Sequence, residues 1–430
     1  MHSLKYIIDN YESFAEQMKA RDPTIDLEGL RELNSQKKHI EGNLQTVREE
    51  KNKISRLIGR LKRESAGDLE NLTERALELS LGESVEKKAL NPVEKQINNI
   101  LLNLPNVLDH RVPMSSREED YLVIKSMGDA NSFSFEPKDH LTIGKNLGII
   151  DMDRASKLTG SNFVIYRGKG AEMEMALNNY FKDVLLGYTP VRGKNFDLVS
   201  PPLLVNRDTM TTAGTLPKFE EQLYKVEEDG FILIPTSEVA LVGQYMNEKI
   251  PEEDLPILNT AFTHNFRREA GAYGKRDKGI SRMHEFTKQE MVAISDPDYS
   301  EEVLQYMRGI AEDIVESLGL PARTTLLSAG DLGQQCAITY DIEVHFPSQD
   351  MYREVSSVSN CREYQARRGN IRVKRGKGSD YAHTLNGTAL AIPRTMISIL
   401  ENYQQKNGNV TIPEVLRPYM RGAEEISRER

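Results

Sequence analysis

The sequence predicts an α+β protein in which a long antiparallel helical hairpin precedes a domain built on an antiparallel sheet. Three observations predict it. Heptad-spaced apolar residues fill the first quarter, and short strand-like runs separated by helical stretches follow. The later part also lacks a regular βαβ rhythm and a G-x-G-x-x-G turn, which disfavours a doubly wound sheet. At 430 residues and 38% hydrophobic content the chain exceeds the size at which one core usually divides, so two units are expected.

The hairpin comes first. Apolar positions fall at Leu30, Leu33, Ile40, Leu44, Val47, Ile54, Ile58 and Leu61, a 3-4 alternation interrupted by Lys37 and Lys51 on the same seam. A second series runs Leu69, Leu72, Ala76, Leu79, Leu90, Val93, Ile97, Ile100 and Leu104, with Glu83 and Glu86 as polar exceptions. Between them, Ser65-Ala66-Gly67-Asp68 supplies a residue free to take positive φ and a helix cap, so the helices fold back on each other. From Leu30 to Leu61 such a helix spans roughly 45 Å, longer than a small domain is wide, and an arm that protrudes is expected. Gly82 and Asn91-Pro92 should loosen or kink the second helix. Leu104-Pro105-Asn106 ends the arm, and polar residues through Asp120 read as a linker.

Charge singles out one part of the arm. The whole chain carries −9, so no global positive field draws in nucleic acid. Yet Lys51, Lys53, Arg56, Arg60, Lys62 and Arg63 occur with no acid between 51 and 63. A solvated coiled-coil face explains most isolated runs of this kind. Its contrast with an acidic chain favours contact with a phosphate backbone.

Beyond the linker, Phe231 to Ile234 and Tyr340 to Val344 read as strands, and Ser300 to Leu318 and Thr395 to Gln405 as helices. Two cysteines, Cys336 and Cys361, without a C-x-x-C pair or a nearby histidine cluster, suit a reducing compartment, and no zinc site is expected. Neither a secretory nor an amphipathic leader opens the chain, and 18 consecutive apolar residues occur nowhere. A cytoplasmic protein with no membrane partner is the expectation.

Four segments carry a specific resemblance. Phe266-Arg267-Arg268-Glu269-Ala270-Gly271-Ala272-Tyr273-Gly274, with Gly279 and Arg282-Met283-His284-Glu285-Phe286, resembles motif 2 of class II aminoacyl-tRNA synthetases in its seryl form. Leu385 to Arg394, followed by Ile399 to Gln404, resembles motif 3; Pro235-Thr236-Ser237-Glu238 matches the seryl Thr-x-Glu element, and Tyr352 to Cys361 the stretch between motifs 2 and 3. With the hairpin, the likeness to the seryl-tRNA synthetase family spans nearly the whole chain. It implies an N-terminal tRNA-binding domain over 1–110, with its arm at about 28–105, and a class II catalytic domain over 111–430. Motif 1 would lie at about 187–202, motif 2 at 265–290 and motif 3 at 385–405.

The resemblance implies ATP-dependent activation of L-serine to seryl-adenylate and transfer to tRNA(Ser). Whether tRNA(Sec) is a further substrate stays open at this stage. The implied catalytic residues are Arg267, Glu354 and Arg394. Serine would meet Thr236, Ser237, Glu238, Arg267, Glu290, Asn386 and Thr388. ATP would meet Arg267, Arg268, Glu269, Arg282, Met283, Phe286, Glu354, Val355, Ser356, Ser357 and Arg394, with Mg2+ on Glu354 and Ser357. These residue types suit that chemistry, since it needs arginine forks for two oxyanions, hard oxygens for magnesium, and a hydroxyl-bonding pocket that rejects alanine. Thr236 and Glu238, two apart on a segment read as extended, would face the ammonium together. A homodimer through motif 1 is implied as well.

Departures are few. Motif 3 reads Asn386-Gly387-Thr388-Ala389 where relatives usually have Asn-Gly-Ser-Gly, and ends Pro393-Arg394 in place of Gly-Arg. Arg192 to Ser200 looks inserted in motif 1, and Ile338 stands where lysine is common. Two rival functions remain: a paralogue that loads a carrier protein, and an RNA-binding protein without catalysis. The basic arm argues against the first and the intact Arg267, Glu269, Glu354 and Arg394 against the second.

Overall fold

The computed structural model describes residues 1–64, 69–270 and 279–428. The expected Ser65-Ala66-Gly67-Asp68 turn and the Gly271–Gly274 part of motif 2 lie outside them. The chain divides into two compact units, residues 2–104 and residue 1 with 105–430.

The first unit opens with α1 (Leu4–Asp9) and α2 (Tyr11–Arg21), which bury Ile7, Phe14 and Met18. Two long helices follow, α3 (Glu28–Glu64) and α4 (Leu69–Asn103), and they pack against each other. Each polar break in the two heptad series finds a polar partner on the other helix, and Lys51 and Glu83 find each other. Lys51 Nζ lies 2.9 Å from Glu83, Lys37 Nζ 3.1 Å from Glu94, and Asn43 donates to Glu86 at 3.4 Å. Such cross-helix pairs fix the register that an all-apolar seam would leave free to slip. Helix α4 is unbroken at Gly82 and Pro92, where a looser helix was expected, and pairing with α3 carries it through.

The second unit is built on an eight-stranded sheet. In chain order its strands are β1 (Leu122–Met127), β2 (Asp197–Leu198), β3 (Ile257–Phe266), β4 (Glu285–Ser295), β5 (Ala322–Leu326), β6 (Ile338–Phe346), β7 (Met351–Arg362) and β8 (His383–Ala391). They lie in the order β1-β5-β6-β7-β8-β4-β3-β2. Every neighbour is antiparallel except β2, which runs parallel to β3 at the edge. The α+β expectation therefore holds. The main helices here are α5 (Lys169–Gly187), α6 (Glu238–Gly243), α7 (Ser300–Ser317), α8 (Tyr364–Gly369) and α9 (Ile392–Asn402). Helix α7 packs on β7 and β8 and presents Val303, Leu304, Met307, Ile310 and Ile314 to the core, a 3-4 stripe. Helix α9 begins and ends three residues earlier than the sequence suggested, because Pro393 sits in its first turn, where the missing N–H costs nothing.

Residues 105–120 are not a loose linker. Asn106 donates to the backbone oxygens of Gln335 and Cys361, both at 2.8 Å, and buried Asp109 takes Arg111 at 2.7 Å and Arg362 at 2.7 Å. Their polarity serves buried hydrogen bonds, which composition alone reads as solvent exposure. The segment Arg192 to Ser200 contributes a tight Val191–Lys194 bridge and the edge strand β2. Among the described residues no helix is long and apolar enough to cross a membrane.

Candidate active site

A cavity of about 210 Å³ opens between β4, the end of β3, β7 and the first turn of α9. Arg267, Arg282, Phe286, Lys288, Glu354, Thr388 and Arg394 are among its lining residues. A second cavity of about 350 Å³ adjoins it through Ser281, Glu354 and Arg394.

Two β-bulges aim the side chains. On β8, Thr388 pairs with Glu290 while Leu390 pairs with Gln289, so Ala389 is the extra residue. On β7, Ser356 pairs with Ile342 while Glu354 pairs with Glu343, leaving Val355 extra. Bulges of this kind redirect side chains next to functional sites. Here they set Thr388 Oγ1 at 3.3 Å from Glu290 Oε2 and bring Glu354 into the cavity lining.

Lys288 Nζ donates to Thr236 Oγ1 at 3.0 Å and also contacts Glu290. Both ions are almost dry, at 9% and 1% side-chain exposure. Glu238 is buried as well. Its Oε1 accepts from Gln365 at 2.6 Å and Gln335 at 3.5 Å, and its Oε2 from Asn386 at 3.2 Å. Burial, then Glu290 and Cys336, push the Glu238 carboxyl up to about 8, against the pull of the Gln365 hydrogen bond. The segment Thr236–Glu238 is not extended. Ser237 is helical at φ −66° and ψ −18°, and Glu238 starts α6. Thr236 and Glu238 therefore converge through a turn, with the Glu238 amide donating to Thr236 Oγ1 at 3.3 Å. Ser237 itself is fully buried.

Arg267 continues from β3, donates to the Pro235 oxygen at 3.2 Å and lies over the Phe286 ring at 4.9 Å. Removal from water lowers its pKa, and Glu269 and Glu354 pull the other way. Glu269 adopts φ +51°, uncommon for a side chain of its kind, and pairs with Arg282. Arg394 reaches both the backbone oxygen of Glu354 at 2.9 Å and its carboxylate at 3.1 Å. Arg268 is exposed, its backbone N–H donating to the Gln222 oxygen, while Met283 lines the cavity and Val355 is buried without lining it. Ser356 is turned away: its hydroxyl donates to the Thr388 backbone oxygen at 2.5 Å. Ser357 faces Asp341 across the β6–β7 pair.

On the arm, Lys53, Arg56, Arg60, Lys62 and Arg63 are exposed. Lys51 belongs to the seam, since it is occupied by Glu83, and it stands apart from that basic set.

Comparison with known proteins follows the same division. Residues 222–403 match the tRNA synthetase class II core domain (G, H, P, S and T), and residues 1–108 the seryl-tRNA synthetase N-terminal domain. A serine–tRNA ligase of Solibacter usitatus is 42% identical over 434 residues, 100% of either chain. The chain belongs to the seryl-tRNA synthetase family. Another seryl-tRNA synthetase family member, the serine–tRNA ligase of Thermodesulfovibrio yellowstonii, is 43% identical over 98% of this chain and 99% of its own. Among solved structures, seryl-tRNA synthetase from Pyrococcus horikoshii complexed with ATP superposes with a TM-score of 0.93, at 32% identity and 100% coverage of both chains. Cytoplasmic serine–tRNA ligase from Naegleria fowleri in complex with AMP gives 0.84, at 27% identity over 99% of this chain and 97% of the other. The resemblance read from the motifs is thus confirmed for seryl-tRNA synthetase family and class II fold.

Sequence reasoning passed over Lys288, Gln335, Asp341 and Gln365. Lys288 was within reach, since it stands two residues before Glu290 on a strand and shares its face. Asp341 pairs with Ser357 across two strands, and the Gln335 and Gln365 side chains arrive from a loop and a short helix remote in sequence.

Proposed function

We propose that the cavity binds ATP and L-serine side by side, joins them as seryl-adenylate with release of pyrophosphate, and passes the seryl group to the 3′ end of tRNA(Ser). The observation that carries this reading is one cavity lined by Arg267, Arg282 and Arg394 with Glu354, Phe286 and Thr388, the Thr388 hydroxyl lying 3.3 Å from buried Glu290. The serine carboxylate attacks the α-phosphorus, and Arg267 offers a planar fork to both reacting oxyanions. Glu269 meets the adenine amino group, Phe286 stacks on the base, and Arg282 and Arg394 take the outer phosphates. The serine ammonium faces Thr236 and Glu238 beside Asn386, and its hydroxyl faces Glu290 and Thr388.

Magnesium would be held by Glu354 and Ser357 together with phosphate oxygens. The donor set fits: these are hard oxygens, and Asp341 beside Ser357 has its carboxyl held well above the usual range by burial and by Glu354, an excess of carboxylate that a divalent cation relieves. When bound, the ion neutralises charge on the phosphates. We place tRNA contact on Lys53, Arg56, Arg60, Lys62 and Arg63, with tRNA(Sec) as a second candidate substrate. A homodimer through residues 187–202 and a cytoplasmic location complete the reading.

The test is aminoacylation of purified tRNA(Ser) beside ATP–pyrophosphate exchange. Charging with serine, and reversal of Arg56, Arg60 and Arg63 that lowers charging while sparing exchange, is the expected pair of results. Exchange without any charging of tRNA would favour a carrier-protein paralogue.

A further inference from the structure

We propose that Gln365 is a positioning residue for the amino group of the substrate: with Gln335 and Asn386 it holds Glu238 in a cage of neutral amides, leaving its carboxylate for an incoming ammonium. The inference rests on the serine reading above. Three side-chain amides converge on the two oxygens of Glu238, and among the described residues no salt bridge reaches it. A buried carboxylate ordinarily demands a cation. Here the cation is the substrate's.

Gln365 is the member whose geometry is fixed. It is fully buried; its Nε2 donates both to Glu238 Oε1 at 2.6 Å and to the Ala213 oxygen at 2.8 Å, while its Oε1 accepts from Thr384 Oγ1 at 2.6 Å. The Ala213 carbonyl can only accept, so the amide cannot turn its oxygen that way, and the N–H stays aimed at Glu238. The charged and titratable groups around Glu238 are Glu290 and Lys288 from β4, Cys336 ahead of β6 and Cys361 on β7. Lys288 is already engaged by Thr236 and Glu290. Before serine binds, Glu238 is therefore mostly protonated below its raised value of about 8, and serine binding at neutral pH should release a proton. Ammonium binds the ionised form, so the serine KM falls as pH rises from 6 toward 8.

The experiment measures serine and ATP KM by pyrophosphate exchange from pH 6 to 9 in wild type, Gln365→Met, Thr384→Val and Glu238→Gln. Gln365→Met should raise the serine KM roughly tenfold to hundredfold, leave the ATP KM within about twofold, and move the serine pH profile upward by about one unit. Thr384→Val, which frees the amide without touching Ala213, should show the same pattern more weakly. It covers the case in which Gln365→Met fails to fold. An unchanged serine KM and profile in Gln365→Met, or in Thr384→Val alone if the first does not fold, would overturn the proposal while Glu238→Gln still impaired serine. An unaffected Glu238→Gln would instead overturn the serine reading itself.

Discussion

Two lysine–glutamate pairs in this chain show how differently one chemistry can be used. In the arm, Lys51 and Glu83 meet at 2.9 Å with 34% and 15% of their side chains exposed, and Arg48 and Lys87 share the same carboxylate. In the cavity, Lys288 and Glu290 meet at 9% and 1% exposure, and Thr236 and Thr388 complete their hydrogen bonds. The first pair closes a gap in an apolar seam and remains wet, so water already supplies most of what either ion needs. The second has given up its water, and its worth lies in where the charges stand.

That contrast can be broken from the cavity side first. The largest effect is expected one step away, at Arg267. In the proposed role its loss removes a fork from the reacting oxyanions, so Arg267→Ala should lower pyrophosphate exchange by at least roughly 10³-fold with an unaltered fold by circular dichroism. Exchange within tenfold of wild type would remove Arg267 from the chemistry. Lys288→Met comes next. It leaves Glu290 buried without its cation, and kcat/KM for serine should drop about 10²-fold while the ATP KM changes little. Equal losses for both substrates would show a collapsed site.

The arm pair should respond least. Hydrogen bonds from Lys87, Lys51 and Arg48 hold the Glu83 carboxyl down to about 2, from an ordinary 4.5. Its contribution is therefore complete above pH 4.5 and is lost as pH falls toward 2. Glu83→Gln should shift the unfolding midpoint slightly at pH 7, and the difference from wild type should vanish with acidification. A difference that grew at low pH would contradict the pairing.

How much of this was legible beforehand depended on whether a residue's role is local. The heptad seams, and the lysines and glutamates that interrupt them, are periodic and could be read directly, although only the folded hairpin shows that Lys51 meets Glu83 and Lys37 meets Glu94. Arg267, Glu269, Phe286 and Arg394 stand in contiguous motifs, and the structure brings all of them to one cavity. Thr236 and Glu238 do come together, but through a turn and not by strand spacing, because Ser237 is helical and Glu238 starts α6. The polar stretch 105–120 misled composition, since Asn106 and Asp109 are polar in order to satisfy buried partners. Gln365 had no local signal: its meaning arises only where α8 meets Glu238.

On the proposed function, Glu290 and Thr388 select the serine hydroxyl while Arg267 binds the reacting carboxylate. Pyrophosphate exchange with serine and alanine in parallel tests it most directly. A site built to hydrogen-bond a hydroxyl should favour serine over alanine by roughly 10⁴-fold in kcat/KM, and Thr388→Val should narrow that ratio chiefly by weakening serine. Comparable kcat/KM for the two amino acids in the wild-type enzyme would contradict it.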